Sequence, residues 1–180
     1  MSKIFFFILI FIFCFANCEE TKPRNPTKLN KQNFFTKSIN RNINIKKKEE
    51  IYFRNIIKKD SKSKYFASSK GFWFKITTTI KSNLKPSSGD EVEFSYNILD
   101  LEGNDIYKDD DLKPIRYVVD KEEILAALRY GIKELKIGDS GIFLMPSFLC
   151  YGYQGDGEKI TPNQPLIIQI NLISLNTNTN

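Results

Sequence analysis

The sequence predicts an α+β fold, in which an antiparallel sheet of five to six strands wraps around one short helix. Two strictly alternating segments, residues 90–99 and 166–173, are typical of strands with one buried face. Between them, apolar residues recur at helical spacing over residues 124–135. Turns of hairpin length separate the strands, so this order favours an antiparallel sheet packed on a single helix.

The first strand of the sheet is predicted from Gly71, where GFWFKITTTIK is rich in aromatic and β-branched residues. The next strand, DEVEFSYNIL, alternates so that its apolar side chains share one face. Short apolar segments at 106–107 and 115–119 predict two further strands. The segments SGIFLMP and LIIQINLI complete the sheet on the far side of the helix.

The single helix of this domain is predicted to begin after Asp120. In the sequence DKEE, Asp120 is the expected N-cap and Glu123 follows three residues later, which is the capping-box pattern. Gly131 is expected to end or tighten the helix. The apolar residues of its buried stripe are Ile124, Leu125, Leu128, Ile132 and Leu135.

The N-terminal region is predicted to lie outside the folded domain. Residues 19–45 are polar, rich in Asn and Lys, and carry two prolines without a sustained period, which is typical of a flexible linker. The predicted boundaries are a signal peptide over 1–17, a basic linker over 18–70 with a short helix at 46–59, the folded domain over 71–176 and a disordered tail over 177–180.

The first residues carry the pattern of a secretory signal, because Lys3 precedes the ten consecutive apolar residues Ile4–Phe13. Such a run is short for a membrane span. Residues 15–18, Phe-Ala-Asn-Cys, resemble a bacterial lipoprotein box that would leave Cys18 for lipid attachment, whereas cleavage after Ala16 is the alternative. The protein is therefore expected to be exported to the cell envelope or periplasm, and to be membrane-anchored if Cys18 is modified.

The composition excludes several kinds of catalytic site. Histidine is absent from the 180 residues, which removes Ser-His and Cys-His triads and His-ligated zinc. The three cysteines, Cys14, Cys18 and Cys150, cannot form a four-cysteine metal site or a disulfide framework. The sequence therefore predicts no metal and no cofactor.

Charge is distributed unevenly along the chain. Residues 1–88 carry 19 Lys and Arg against 5 Asp and Glu, a net +14, whereas residues 89–180 carry 8 against 16, a net −8. A basic arm on an acidic domain indicates contact with nucleic acid or with an anionic membrane surface. The export signal argues against nucleic acid, and a solvated tether held extended by its lysines is the alternative to membrane contact.

The stretch LCYGYQGDGEKITPNQPL, residues 149–166, places two tyrosines at the mouth of a glycine-rich loop. Together with VEFSYNILDLEGNDIY, LKPIRYVV and EEILAALRYGIKELKIGD, it resembles the FKBP-type peptidyl-prolyl isomerases over Gly71–Leu175. The lipoprotein-like start, the basic arm and the entry strand SSKGFWF make the chain similar to the gliding-motility-associated isomerase lipoproteins of bacteria.

This resemblance implies an apolar pocket for a prolyl residue. Its catalytic groups would be Tyr96, the backbone N–H of Leu125 and the hydroxyl of Tyr151. Tyr107 stands where the family carries an aspartate, and Leu128 where it carries a tryptophan. Several of the apolar residues would also serve as ordinary core in any fold. The implied substrate-binding residues are Ile106, Ile115, Ile124, Leu128, Ile160 and Ile168.

Rotation about an X-Pro bond fits a site of this composition, because the reaction transfers no proton and needs no metal. The resemblance implies an exported peptidyl-prolyl cis-trans isomerase that assists the folding of envelope or surface proteins, including those of the gliding machinery. Its partners would be proline-containing proteins. The alternative is a catalytically weak or inactive binding module that acts as a chaperone or scaffold.

Overall fold

The computed structural model of the protein describes residues 31–80, 82–108 and 113–177. The predicted signal peptide over 1–17, the lipid-attachment site Cys18 and residues 178–180 of the predicted tail lie outside the described residues. These predictions therefore remain predictions.

In this part of the chain, seven strands form one antiparallel sheet. The α+β prediction is confirmed, with one strand more than expected, because a two-residue strand precedes the predicted start at Gly71. The strands are β1 Phe66–Ala67, β2 Trp73–Thr78, β3 Glu91–Leu99, β4 Asp105–Tyr107, β5 Ile115–Val118, β6 Ser140–Met145 and β7 Leu166–Asn176. They lie in the order β1-β2-β6-β7-β3-β4, and β5 pairs with β3.

Strand β3 is paired along both of its edges. On one edge, Glu91 lies opposite Asn176 and Leu99 lies opposite Ile167 of β7, with a register shift between Glu93 and Phe94. On its other edge, β3 pairs first with β5 and then with β4. Val92, Phe94 and Ile98 of its alternating sequence point into the core, whereas the opposite face is only partly covered at Glu93 and Asn97 and is buried at Ser95.

A short helix, α2 (Ala126–Ile132), covers the buried face of the sheet and is preceded along the chain by α1 (Lys31–Lys59). Leu128 and Ile132 of α2 are buried in the core. Gly131 permits this close packing, because a Cβ atom at that position would lie 2.7 Å from Cδ1 of Ile170 on β7. Neither helix of the described residues combines the length and apolar composition needed to cross a membrane.

The prediction that Asp120 is the N-cap of this helix is wrong. Asp120 adopts a positive φ of 60° in a tight turn, in which the Lys121 N–H donates to the carbonyl of Val118 at 3.1 Å. An N-cap residue instead has an extended backbone immediately before the helix. The helix therefore begins later, and Leu125 occupies the N-cap position without a side-chain cap. The Asp120 carboxylate instead pairs with Lys133 at 2.6 Å.

The prediction of a linker with a short helix at 46–59 is also corrected, since α1 extends from Lys31 to Lys59. Residues 31–59 contain neither proline nor glycine, so nothing in the backbone interrupts a helix that low-propensity asparagines only weaken. Residues 31–38 belong to a separate unit, whereas the helix from Ile39 onward forms one compact unit with the sheet. Within that unit, Phe53 of α1 is 1% exposed.

Candidate active site

The predicted pocket residues come from five separate elements of the fold. Tyr96 lies on β3, Ile106 on β4, Ile115 on β5 and Ile168 on β7, and the others flank or belong to α2 or lie in the loop before β7. All of them are members of one hydrophobic core or pack directly against it. The structure therefore brings together every apolar residue that the resemblance implied.

Burial separates these residues into two groups. Leu128 and Ile160 are 3% exposed and Ile168 is fully buried, so they form the base of the cluster. The remaining members are only partly buried and pack against the hydrophobic core to which this base belongs. A buried aliphatic base with a half-buried apolar rim is the construction expected of a site for an apolar ring. The half-buried members are Tyr96, Ile106, Ile115, Ile124, Leu125 and Tyr151.

Leu125 offers a backbone donor beside this rim. Its carbonyl starts α2 by accepting the Arg129 N–H at 3.0 Å. The Leu125 N–H takes part in no hydrogen bond recorded among the described residues, as expected for one of the first amides of a helix. This N–H is therefore available to the carbonyl of a ligand.

Tyr151 lies in the loop of residues 150–165 that joins a short 3-10 turn, Ser147–Leu149, to β7, and this segment is called the Tyr151 loop below. The Ser147 carbonyl accepts the N–H groups of Cys150 at 3.0 Å and of Gly152 at 2.9 Å. These two bonds fix the backbone on both sides of Tyr151.

The Tyr151 hydroxyl is a neutral donor under ordinary conditions. Burial raises the pKa of Tyr151 to about 12, and the nearby Tyr96 and Asp156 add to the shift. No hydrogen bond to this hydroxyl is present in the part of the chain that the structure describes. A protonated and unpaired phenol at an apolar rim is suited to donate to a ligand carbonyl.

Tyr96 is the second tyrosine of the site. Its ring centroid lies 6.0 Å from that of Phe94, and burial raises the pKa of its hydroxyl. Tyr96 faces Ile170 across the β3–β7 pairing. Its side chain packs against the hydrophobic core and remains partly exposed.

Asp156 organises the outer half of the Tyr151 loop, and the sequence analysis did not identify it. Its Oδ1 accepts the N–H groups of Glu158 at 2.9 Å and Ile160 at 2.8 Å, and its Oδ2 accepts the Tyr107 hydroxyl at 2.7 Å. Partial burial opposes ionisation, but these hydrogen bonds outweigh it and lower the pKa of Asp156 to about 2. The hydrogen bond to Asp156 in turn raises the pKa of Tyr107.

The bond between Tyr107 and Asp156 joins β4 to the Tyr151 loop across the rim. Lys159 adds two contacts to the same strand, because its Nζ lies 4.6 Å from the centre of the Tyr107 ring and 3.3 Å from the Ile106 carbonyl. The sequence held one signal for this arrangement. In Gly155-Asp156-Gly157, an aspartate lies between glycines, which is typical of a turn built on an aspartate side chain.

The model of the FKBP-type peptidyl-prolyl cis-trans isomerase family matches residues 82–173, which is half of the chain and includes every element of the site. The chain belongs to the FKBP-type peptidyl-prolyl cis-trans isomerases. The prediction of an isomerase of this type is thereby confirmed.

Two curated relatives of the isomerase carry the name FK506-binding protein 2. The one from Candida glabrata is 31% identical over 124 residues, which cover 66% of this chain and 88% of the relative. The one from Dictyostelium discoideum is 28% identical over 94 residues, which cover 52% of this chain and 71% of the relative.

A solved peptidyl-prolyl cis-trans isomerase from Pseudomonas syringae has the same fold. It superimposes with a TM-score of 0.59 at 20% identity, over 74% of this chain and 94% of that one. At this identity the likeness concerns the fold alone. Neither comparison bears on the predicted similarity to gliding-motility lipoproteins, which remains a prediction.

Proposed function

We propose that the isomerase binds a prolyl residue on the apolar rim and holds the preceding carbonyl with two donors, the Leu125 N–H and the Tyr151 hydroxyl. The observation that carries this proposal is that both donors lack partners among the described residues and border one aliphatic cluster. Tyr96, Ile106, Ile115 and Ile124 form the walls in this proposal, above the base of Leu128, Ile160 and Ile168.

The proposed mechanism is stabilisation of the twisted amide. Rotation about an X-Pro bond has a barrier of roughly 18–20 kcal/mol because the amide loses its resonance at the perpendicular geometry. Water favours the planar, dipolar ground state, and transfer to an apolar site removes part of that preference. Donors that fit the carbonyl best when it is rotated lower the barrier further, and each factor of ten in rate requires about 1.4 kcal/mol.

A peptide titration tests this binding mode. A short proline-containing peptide is added to the isotopically labelled protein while the backbone amides are followed by NMR. Binding as proposed shifts the Leu125 amide and the Tyr151 ring signals with one common dissociation constant. Shifts confined to the solvent-exposed face of β7, such as at Ile173, would contradict the proposed site.

We further propose that the clients are exported, proline-containing proteins of the cell envelope or surface. The apolar segment Ile4–Phe13 after Lys3, which is typical of a secretory signal, supports this proposal. A contribution to gliding motility and attachment to the membrane through a lipid on Cys18 belong to the same proposal. The mass of the mature N-terminus and fractionation of cells expressing Cys18→Ala would test it, since loss of both lipid mass and membrane association is expected.

A second candidate function is the binding of client chains with little turnover. Leu128 favours it, because the resemblance places a tryptophan at the base of the pocket and the smaller side chain leaves less surface for a prolyl ring. The amount of protein needed for an effect on refolding distinguishes the two functions. An isomerase accelerates proline-limited refolding at substoichiometric amounts, whereas a holding module suppresses aggregation only at stoichiometric amounts.

A further inference from the structure

A buried acidic residue links helix α1 to the turn that precedes Tyr151. Glu49 is 3% exposed although it carries a carboxyl group. Its Oε1 accepts the backbone N–H of Ser147 at 3.3 Å. Its Oε2 is buried without a partner among the described residues. Burial of a carboxyl group costs free energy, whereas burial of an apolar side chain of similar size does not. Packing alone therefore does not explain a glutamate at this position.

The contacts of Ser147 extend from Glu49 to the backbone around Tyr151. Ser147 is itself 3% exposed, and its carbonyl accepts the N–H groups of both Cys150 and Gly152. The N–H of Ser147 bonds to the helix, and its carbonyl bonds to the residues on either side of Tyr151. A displacement of the Ser147 backbone would therefore displace Tyr151 as well.

We propose that Glu49 is a positioning residue for Tyr151, acting through Ser147, and that helix α1 is for this reason part of the functional isomerase. The inference rests on the proposed role of Tyr151 as a donor to the substrate carbonyl. Glu49 lies outside residues 82–173, the segment that the family model matches.

Other contacts also hold helix α1 against the rest of the domain. The effect of Glu49 on Tyr151 can therefore be tested without detaching the helix. The neighbouring Glu50 accepts the Trp73 indole N–H at 3.2 Å and pairs with Arg54 at 2.8 Å. Phe53 is buried at 1% exposure. Removal of the Glu49 carboxylate therefore leaves α1 attached to the domain, while the Ser147 N–H loses its acceptor.

The test compares Glu49→Leu with Glu49→Gln and Glu50→Gln in the full chain. We expect Glu49→Leu to lower kcat/KM for a prolyl peptide about three- to tenfold, because a displaced donor loses part of its orientation effect. Its thermal midpoint should change little, because removal of the buried Oε2 that has no partner offsets the loss of the acceptor for the Ser147 N–H. Glu49→Gln retains the acceptor and should restore most of the rate, and Glu50→Gln is the matched control with wild-type kcat/KM.

Hydrogen exchange gives a readout that does not depend on catalysis. In Glu49→Leu the amides of Cys150 and Gly152 should exchange faster than in the wild type, and in Glu50→Gln they should not. Unchanged exchange at both amides in Glu49→Leu would overturn the proposal. So would a kcat/KM that falls only in parallel with the thermal midpoint. If exchange rises as expected while Tyr151→Phe remains fully active, the positioning link stands and the proposed role of Tyr151 fails.

Discussion

The Tyr151 loop is held by different interactions at its two ends. At its beginning, the buried Ser147 joins the loop to Glu49 of helix α1, and water is excluded from these hydrogen bonds. At its outer half, Asp156 joins the loop to Tyr107 at a rim that remains partly exposed. The first connection involves Glu49, which lies outside the residues that the family model matches, whereas Tyr107 and Asp156 both lie within them. We infer that the bond between Glu49 and Ser147 determines the position of Tyr151, whereas the bond between Tyr107 and Asp156 determines the shape of the apolar rim.

The largest expected effect comes from breaking the loop itself with Gly155→Ala. Gly155 has a φ of 72°, and an added Cβ would lie 2.3 Å from the backbone carbonyl oxygen of Ile160. A backbone atom cannot move away as a side chain does, so we expect a loss of about 2–3 kcal/mol in the free energy of unfolding. Urea denaturation measures this loss. Gly157→Ala, which also has a positive φ but has open space around it, is the control and should cost less.

The second-largest effect is expected from Asp156→Ala, which changes only the outer half of the Tyr151 loop. The variant removes the acceptor for the Ile160 and Glu158 amides and for the Tyr107 hydroxyl. We expect faster amide exchange at Glu158 and Ile160, together with a kcat/KM lowered about three- to tenfold because the rim loses its fixed geometry. Exchange at Gly152 should hardly change. A rise at Gly152 equal to that at Ile160 would show that the two ends are not independent.

A smaller effect is expected when the bond across the rim is removed and the loop is left intact. Tyr107→Phe deletes the hydroxyl that donates to Asp156 but keeps the ring beneath Lys159. Because the Asp156 carboxylate still accepts both loop amides, kcat/KM should fall by less than in Asp156→Ala. In the double variant the effects should not add, since both changes break the same bond. Additive losses would place Tyr107 in a separate interaction.

The smallest effect is expected in the pH dependence of the Ile160 amide signal, which reports on the Asp156 carboxylate alone. Its pKa of about 2 in the folded protein lies below the value of about 3.9 expected in the unfolded chain. A lowered folded-state pKa means that the stabilisation is complete above the unfolded value and is lost as the pH falls through the folded one. The Ile160 amide signal should therefore shift with a midpoint near pH 2, and should not titrate in Asp156→Asn. A midpoint near pH 4 would show that the carboxylate is not held as described.

The sequence predicted those parts of the molecule in which side-chain periodicity determines the structure. The alternation in β3 and β7 predicts which face is buried, and the apolar stripe of α2 predicts Leu128 and Ile132 in the core. The family resemblance extended this pattern to the apolar pocket residues, which the structure finds in one cluster.

The parts that sequence reasoning missed depend on contacts between distant segments. Asp120 matched a capping pattern, but the turn at 118–121 gave it a backbone conformation that a cap cannot adopt. The start of α1 at Lys31 and the two-residue strand β1 carry little local signal of their own. The Tyr107–Asp156 and Glu49–Ser147 hydrogen bonds were missed because the two partners of each lie far apart in the sequence.

The central claim is that the Tyr151 hydroxyl stabilises the rotating prolyl amide, and one pair of variants tests it most directly. Tyr151→Phe removes the hydroxyl and keeps the ring, while Tyr153→Phe makes the same change at a side chain in the same loop that is 73% exposed. The account predicts that kcat/KM for a prolyl peptide falls about tenfold in Tyr151→Phe, the loss expected for one hydrogen bond made best in the transition state, and is unchanged in Tyr153→Phe. Equal activity of the two variants would contradict it.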